Sequence, residues 1–67
     1  MPRYRQVAAF IRSAVQAGNL KPGDALPTES QLSDYMGVSI DTVRSALQLL
    51  RDESIVVTSQ GIGSFIV

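Results

Sequence analysis

The 67-residue chain is 45% hydrophobic and carries six basic and six acidic side chains, so that its formal net charge is zero. A chain of this length forms one small domain, which buries only about 60% of the surface that the unfolded chain exposes. It has no cysteine and no histidine, which excludes a disulfide framework and any thiolate or imidazole metal site. A membrane span needs about 18 uninterrupted apolar residues, and no stretch of the chain reaches this length. The N-terminus also lacks the pattern of a secretory signal, so we expect a cytoplasmic protein without a membrane partner.

Between Arg3 and Gln16 the apolar residues recur with a helical period. Pro2 suits the first turn of this helix, and Gly18 with Asn19 provides a stop. The predicted apolar stripe consists of Tyr4, Val7, Ala8, Ile11, Ala14 and Val15.

A second helix is predicted to begin near Thr28. Thr28 can cap it while Gln31 returns a hydrogen bond to the cap, and Gly37 permits a left-handed end. Before it, Pro22 and Gly23 suit the middle of a tight turn. The predicted core face of the second helix carries Leu32, Tyr35 and Met36.

Ser39 is placed to cap a third helix directly after the turn at Gly37 and Val38. Its core stripe is predicted to be Val43, Ala46, Leu47 and Leu50. The opposite face, which a partner would meet, carries Asp41, Ser45 and Gln48, with Arg44 and Arg51 on one shoulder and Thr42 on the other.

The β-branched run 55–58 and the segment 64–67 flank a glycine-rich segment and predict a hairpin. Alternation directs Ile55, Val57, Phe65 and Val67 toward the helices, and leaves Val56, Ile62 and Ile66 as surplus apolar surface on the outside. The predicted fold is mainly α with a small β-hairpin: a winged helix-turn-helix of three helices and a two-stranded wing.

These residues resemble the GntR family of bacterial transcription regulators. The resemblance covers nearly the whole chain, and it rests on the helix-one stripe and on segments 18–24, 26–29, 37–39, 42–47 and 60–65. It implies that residues 1–67 form a DNA-binding domain whose partner is a double-stranded DNA operator. The recognition helix, about residues 39–53, would enter the major groove and the wing, about 55–67, would meet the minor groove. It further implies a homodimer, formed through a C-terminal effector domain that is absent from this chain.

The same resemblance assigns DNA contacts to Ser39, Thr42 and Arg44 at the start of the recognition helix, and to the wing tip at Gln60, Gly61 and Gly63. Each has a simpler alternative. Ser39 can be only an N-cap, Thr42 can bond back to its own backbone, and Arg44 can pair with Asp41. A Gly-x-Gly taken alone is more often a hairpin turn than an anion cradle.

Three residues depart from the family pattern. Ile40 and Ser30 stand at positions where the family usually or often has arginine facing DNA, and Ser54 stands where it commonly has glycine between the third helix and the wing. Two losses of charge, together with the pI near 6.0, weaken the expected grip on phosphates.

The alternative function is a protein-interaction module with weak or no DNA binding, in which Ile40, Val56, Ile62 and Ile66 form an apolar contact patch. An enzyme is disfavoured because there is no histidine or cysteine, no serine has an evident base, and the carboxylates are scattered. We predict no cofactor and no metal.

Overall fold

Three helices precede a two-stranded antiparallel sheet in the computed structural model, which describes all 67 residues. This confirms the predicted fold class. None of the helices combines the length and apolar character needed to cross a membrane. The elements are α1 (Arg3–Gln16), α2 (Glu29–Met36), α3 (Ile40–Asp52), β1 (Val56–Ser59) and β2 (Gly63–Ile66).

Short-range hydrogen bonds define the helix-turn-helix. The Thr28 hydroxyl accepts from the Gln31 amide at 3.1 Å, and the Gln31 side-chain oxygen accepts from the Thr28 amide at 2.9 Å. Gly37 ends α2 in the left-handed region with φ 69°, and the Ser39 hydroxyl then accepts from the Thr42 amide at 3.1 Å to start α3. The predicted capping box, turn and second cap are confirmed, and together they fix where α3 leaves α2.

The core gathers around α3, which contributes more buried residues than any other element. Its whole predicted stripe is buried, as is the centre of the α1 stripe, and each strand adds one side chain. The ten buried residues are Val7, Ala8, Ile11, Leu32, Val43, Ala46, Leu47, Leu50, Val56 and Ile66. Because α3 is held along its entire inner face, its outer face is a rigid platform.

Tyr35 is not in the core, contrary to the prediction from the α2 periodicity. It is 75% exposed, whereas Leu32 is buried and Met36 is half-buried. Its ring lies against Phe10 of α1, with the ring centroids 5.8 Å apart. The reason is geometric: an eight-residue helix at the edge of the domain buries only the narrow stripe through Leu32 and Met36.

The prediction of which wing residues face the helices is wrong for Val56, Val57, Ile66 and Val67, whereas Ile55 and Phe65 are half-buried. Val56 and Ile66, paired across the hairpin, are each 3% exposed, whereas Val57 is 50% and Val67 61% exposed. Both faces of the wing carry apolar side chains, so alternation alone fits either orientation, and the packing of the hairpin on the helices decides which face is buried. The chain enters the wing through Ser54, which has a positive φ of 61°, and Ile55 is half-buried against the core before the buried Val56.

This register removes the predicted apolar contact patch, because two of its four members belong to the core. Ile40 is 38% and Ile62 77% exposed, but they lie on different elements, at the start of α3 and at the wing tip. With Val56 and Ile66 in the core, only Ile40 and Ile62 of the four predicted members remain exposed.

The base of the wing is also fastened by residues 23–26, which run along β2 as a short third edge. Ala25 forms an antiparallel bridge with Phe65. Around it, the Leu26 amide donates to Ser64 O at 2.8 Å and the Ile66 amide donates to Asp24 O at 2.9 Å. The segment between α1 and α2 therefore fixes the base of the hairpin while its tip extends beyond the core.

Candidate nucleic-acid interface

The exposed face of α3 is the one predicted from its periodicity. Asp41, Ser45 and Gln48 are exposed on the side opposite the buried stripe. This face is polar, borders the helix-turn-helix turn at its N-terminal end and the wing at its C-terminal end, and forms the centre of the candidate interface.

Ser39 and Thr42 form a pair at the start of α3. Besides the cap from the Thr42 amide, their two hydroxyl oxygens lie 2.9 Å apart, so one hydroxyl hydrogen is shared between them. Each hydroxyl carries one hydrogen, and the pair therefore retains one donor for an outside group. The cap role predicted for Ser39 is confirmed, and the remaining donor leaves a contact to phosphate possible.

Arg44 is exposed and paired with two carboxylates. Its Nε lies 3.1 Å from Oε1 of Glu29 on α2, and Nη1 lies 3.9 Å from Oδ1 of Asp41, with 62% of its side chain exposed. The expected partner Asp41 is thus the more distant one. Exposed pairs of this kind contribute only about 0–1 kcal/mol, so Glu29 orients the guanidinium without holding it away from a ligand.

Glu29, the partner of Arg44, was not singled out by the sequence analysis. It lies 15 residues before Arg44, and no local pattern connects positions so far apart. Only the packing of α2 on α3 brings the two side chains together.

Ile40 and Ser30 occupy comparable places in the two helices. Ile40 is the first residue of α3 and Ser30 lies in the first turn of α2, and both are exposed. Neither contributes charge to the interface, although helix N-termini favour anions through their free amides.

The wing tip is a loop of Gln60, Gly61 and Ile62 between the paired residues Ser59 and Gly63. The Ile62 amide donates to Ser59 O at 3.1 Å, and Gly61 takes a φ of 80°. A Cβ placed at Gly61 would meet no protein atom within 4 Å. Glycine is therefore required there by the backbone conformation, and the space outside the tip is open to a ligand.

Positive charge is arranged asymmetrically around α3, although the chain is neutral. Arg44 and Arg51 lie on the shoulder that runs from α2 to the wing. On the other side, Nη2 of Arg12 in α1 lies 2.6 Å from Oε1 of Glu53. The carboxylates of Glu29 and Asp41 lie beside Arg44, whereas Arg51 bonds only to neutral acceptors.

Comparison with known families identifies the class of protein. Residues 3–66 match the family described as bacterial regulatory proteins, gntR family. The chain belongs to the GntR family.

Full-length relatives of this GntR-family domain include two regulators from Escherichia coli strain K12. The mannosyl-D-glycerate transport/metabolism system repressor MngR is 51% identical over 65 residues, which cover 97% of this chain and 27% of MngR. The HTH-type transcriptional regulator GgaR is 43% identical over 63 residues, which cover 94% of this chain and 25% of GgaR. The chain therefore spans about a quarter of the length of these relatives.

Among solved structures, the AraR DNA-binding domain in complex with operator ORX1 matches with a TM-score of 0.97 and 34% sequence identity. The match covers 100% of this chain and 81% of that one. This GntR-family domain thus has the same winged helix-turn-helix fold as the AraR domain, whose structure contains operator DNA.

Proposed function

We propose that this domain binds a double-stranded DNA operator sequence-specifically, with α3 in the major groove and the wing at the minor groove. The observation that carries the proposal is the match, over the entire chain, to the operator-bound AraR domain. A single α-helix fits the major groove, about 12 Å wide, and the outer face of α3 is polar and exposed as such a role requires.

Each exposed residue at the start of α3 has a distinct chemical role in this proposal. The Arg44 guanidinium exchanges its carboxylate partners for a guanine edge or a phosphate, and the free hydroxyl donor of Ser39 and Thr42 binds a phosphate. Ile40, which has no polar group, contacts a thymine methyl. Ser30 donates its hydroxyl to a phosphate near the start of α2.

The wing tip contributes at a second groove. The side chain of Gln60 can donate to the acceptors that A·T and G·C pairs expose in the minor groove. Gly61 and Gly63, which have no side chain, allow the backbone to approach the sugar-phosphate chain closely.

In the whole protein we propose that this domain serves a cytoplasmic transcription repressor, which dimerises through a C-terminal effector domain outside these residues. The name of MngR, a repressor, supports the regulatory role. The matched length, about a quarter of MngR and GgaR, supports a further domain in the whole protein. Two copies of the domain would then read two half-sites, and twice the contacts compensate for the modest charge of one copy.

The proposal is tested by selection from a library of random-sequence DNA duplexes, followed by fluorescence anisotropy with the 67-residue domain. We expect an enriched sequence motif, and an affinity for it at least about ten-fold above that for a duplex of the same composition in scrambled order. Enrichment of no motif at any of several salt concentrations would contradict sequence-specific binding, because low salt retains weak complexes and higher salt suppresses phosphate contacts that are independent of sequence.

A further inference from the structure

Arg51 connects the recognition helix to the wing. Its Nη1 donates to Oγ1 of Thr58 on β1 at 2.9 Å, and its Nη2 donates to Oε1 of Gln48 on α3 at 2.9 Å. We propose that Arg51 is a positioning residue, which sets the distance and angle between the wing tip and α3 so that both grooves are read together. This inference rests on the proposed function.

The connection lies where the hydrophobic core no longer holds the hairpin. On the inner face of the wing, the buried pair Val56 and Ile66 is followed toward the tip by Thr58 and Ser64. The hydroxyl oxygens of this second pair lie 3.0 Å apart, and Thr58 is exposed. Beyond Val56 and Ile66, the Arg51 contact is therefore the side-chain link between the hairpin and α3.

The partners of Arg51 are themselves held in place. Nε2 of Gln48 donates to Oδ1 of Asp52 at 2.9 Å, which directs the amide oxygen of Gln48 toward Arg51. The chain of contacts thus runs from Asp52 through Gln48, Arg51 and Thr58 to Ser64. A planar guanidinium with donors at fixed angles holds two acceptors in one geometry, which a flexible ammonium group does not do.

Arg51 differs in this respect from the other arginines that join elements. Arg44 and Arg12 are paired with carboxylates, whereas both acceptors of Arg51 are neutral. Its charge is consequently available at the junction of helix and wing. A direct phosphate contact is the alternative role of Arg51. In that role its contribution to DNA affinity would fall with rising salt, and lysine could replace it, whereas positioning requires the planar guanidinium.

The experiment measures DNA affinity and its salt dependence for Arg51→Ala, Arg51→Lys and Thr58→Val on the selected duplex. If Arg51 positions the wing, all three weaken specific binding by about five- to ten-fold, because each breaks the bridge, and Thr58→Val leaves the salt slope unchanged. If Arg51→Lys retains full affinity while Arg51→Ala lowers the slope by about 0.9, Arg51 contacts a phosphate and the proposal is wrong.

A double-mutant cycle tests positioning directly. Gln60→Ala should lose most of its effect in the Arg51→Ala background, because a displaced tip no longer makes its contact, whereas Arg44→Ala should keep its full effect there. Full additivity of Arg51 and Gln60 would overturn the proposal. Arg12→Ala is the matched control: it removes the same charge and another bridge between elements, on the other side of α3, and should change affinity less than about two-fold.

Hydrogen exchange of the free domain provides a readout that does not depend on DNA. In Thr58→Val, amides of residues 57–65 should exchange faster while those of α1 and α3 keep their protection. Unchanged exchange in the wing would count against the bridge. Absence of specific DNA binding by the unmodified domain overturns the proposed function, whereas specific binding that Arg51→Lys and Thr58→Val leave intact overturns only the role of Arg51.

Discussion

Ser54 is the one residue other than glycine that has a positive φ, at 61°. Its amide donates to Arg51 O at 3.0 Å and the next amide, of Ile55, donates to Leu50 O at 2.9 Å, which closes the end of α3. This cap normally uses glycine because a Cβ in the left-handed region is crowded against the backbone. Ser54, which stands where the family commonly has glycine, is therefore a site of backbone strain.

Ser54→Gly should raise the free energy of unfolding by about 0.5 kcal/mol. Relief of the left-handed conformation, about 1–2 kcal/mol, exceeds the entropy that glycine adds to the unfolded chain. The midpoint of thermal unfolding, followed by circular dichroism, should rise by about 2–4 °C for a domain of this size. As a control, Ser45→Gly on the exposed face of α3 should lower the midpoint of thermal unfolding. A fall for Ser54→Gly would show that the serine is unstrained.

Ile40→Arg should strengthen DNA binding. Ile40 is 38% exposed at the start of α3, outside the buried core, so a longer charged side chain can extend into solvent toward a duplex. One added phosphate contact steepens the slope of log affinity against log salt by about 0.9, so the gain should be largest at low salt. Anisotropy titrations at several salt concentrations measure this slope. Ile40→Gln separates charge from polarity, and equal affinities for the two variants would contradict a phosphate contact.

At the scale of elements, α2 and α3 are joined by side chains as well as by the turn. The pair of Glu29 and Arg44 connects the first turn of α2 to the outer face of α3 at 3.1 Å. Two turns further along α3, on the same shoulder, Arg51 connects α3 to β1. The recognition helix is thus fixed between its two neighbours at both ends of the surface that we assign to DNA.

Arg44→Ala should weaken binding to the selected duplex by about 1–3 kcal/mol if the guanidinium reads a base, and should lower the salt slope if it contacts a phosphate. Glu29→Gln keeps the size of the orienting side chain but removes its charge, and it should reduce discrimination between the selected and scrambled duplexes. Both are measured by anisotropy. Unchanged affinity and slope for Arg44→Ala would exclude Arg44 from the interface.

At the scale of the whole molecule, the domain has a core of only ten buried residues, and its longest helix has 14 residues. Nothing in this architecture provides the long apolar helix of a stable dimer interface. We predict that the isolated domain is a monomer or a weak dimer at micromolar concentration, to be measured by sedimentation equilibrium. A tight dimer buried along α1 or the wing would contradict the prediction.

The amino-acid sequence by itself determined the elements of this protein and their order. The capping box of Thr28 and Gln31, the left-handed end at Gly37, and the stripe from Val43 to Leu50 were all predictable. Their signals extend over one or two helical turns, so the residues that cause each feature are its neighbours in sequence. The family also follows from such segments, because they succeed one another over nearly the entire chain.

Tertiary structure decided which way the parts face. Both faces of the wing carry apolar side chains, so its hydrophobic pattern fitted either orientation, and only the packing of the hairpin on the helices decided that Val56 and Ile66 are buried. The partners of Arg44 and Arg51 were likewise beyond local reasoning, because Glu29 lies on another helix and Thr58 on a strand. Long polar side chains reach several acceptors from one position, and the packing of the elements alone determines which acceptor is within hydrogen-bonding distance.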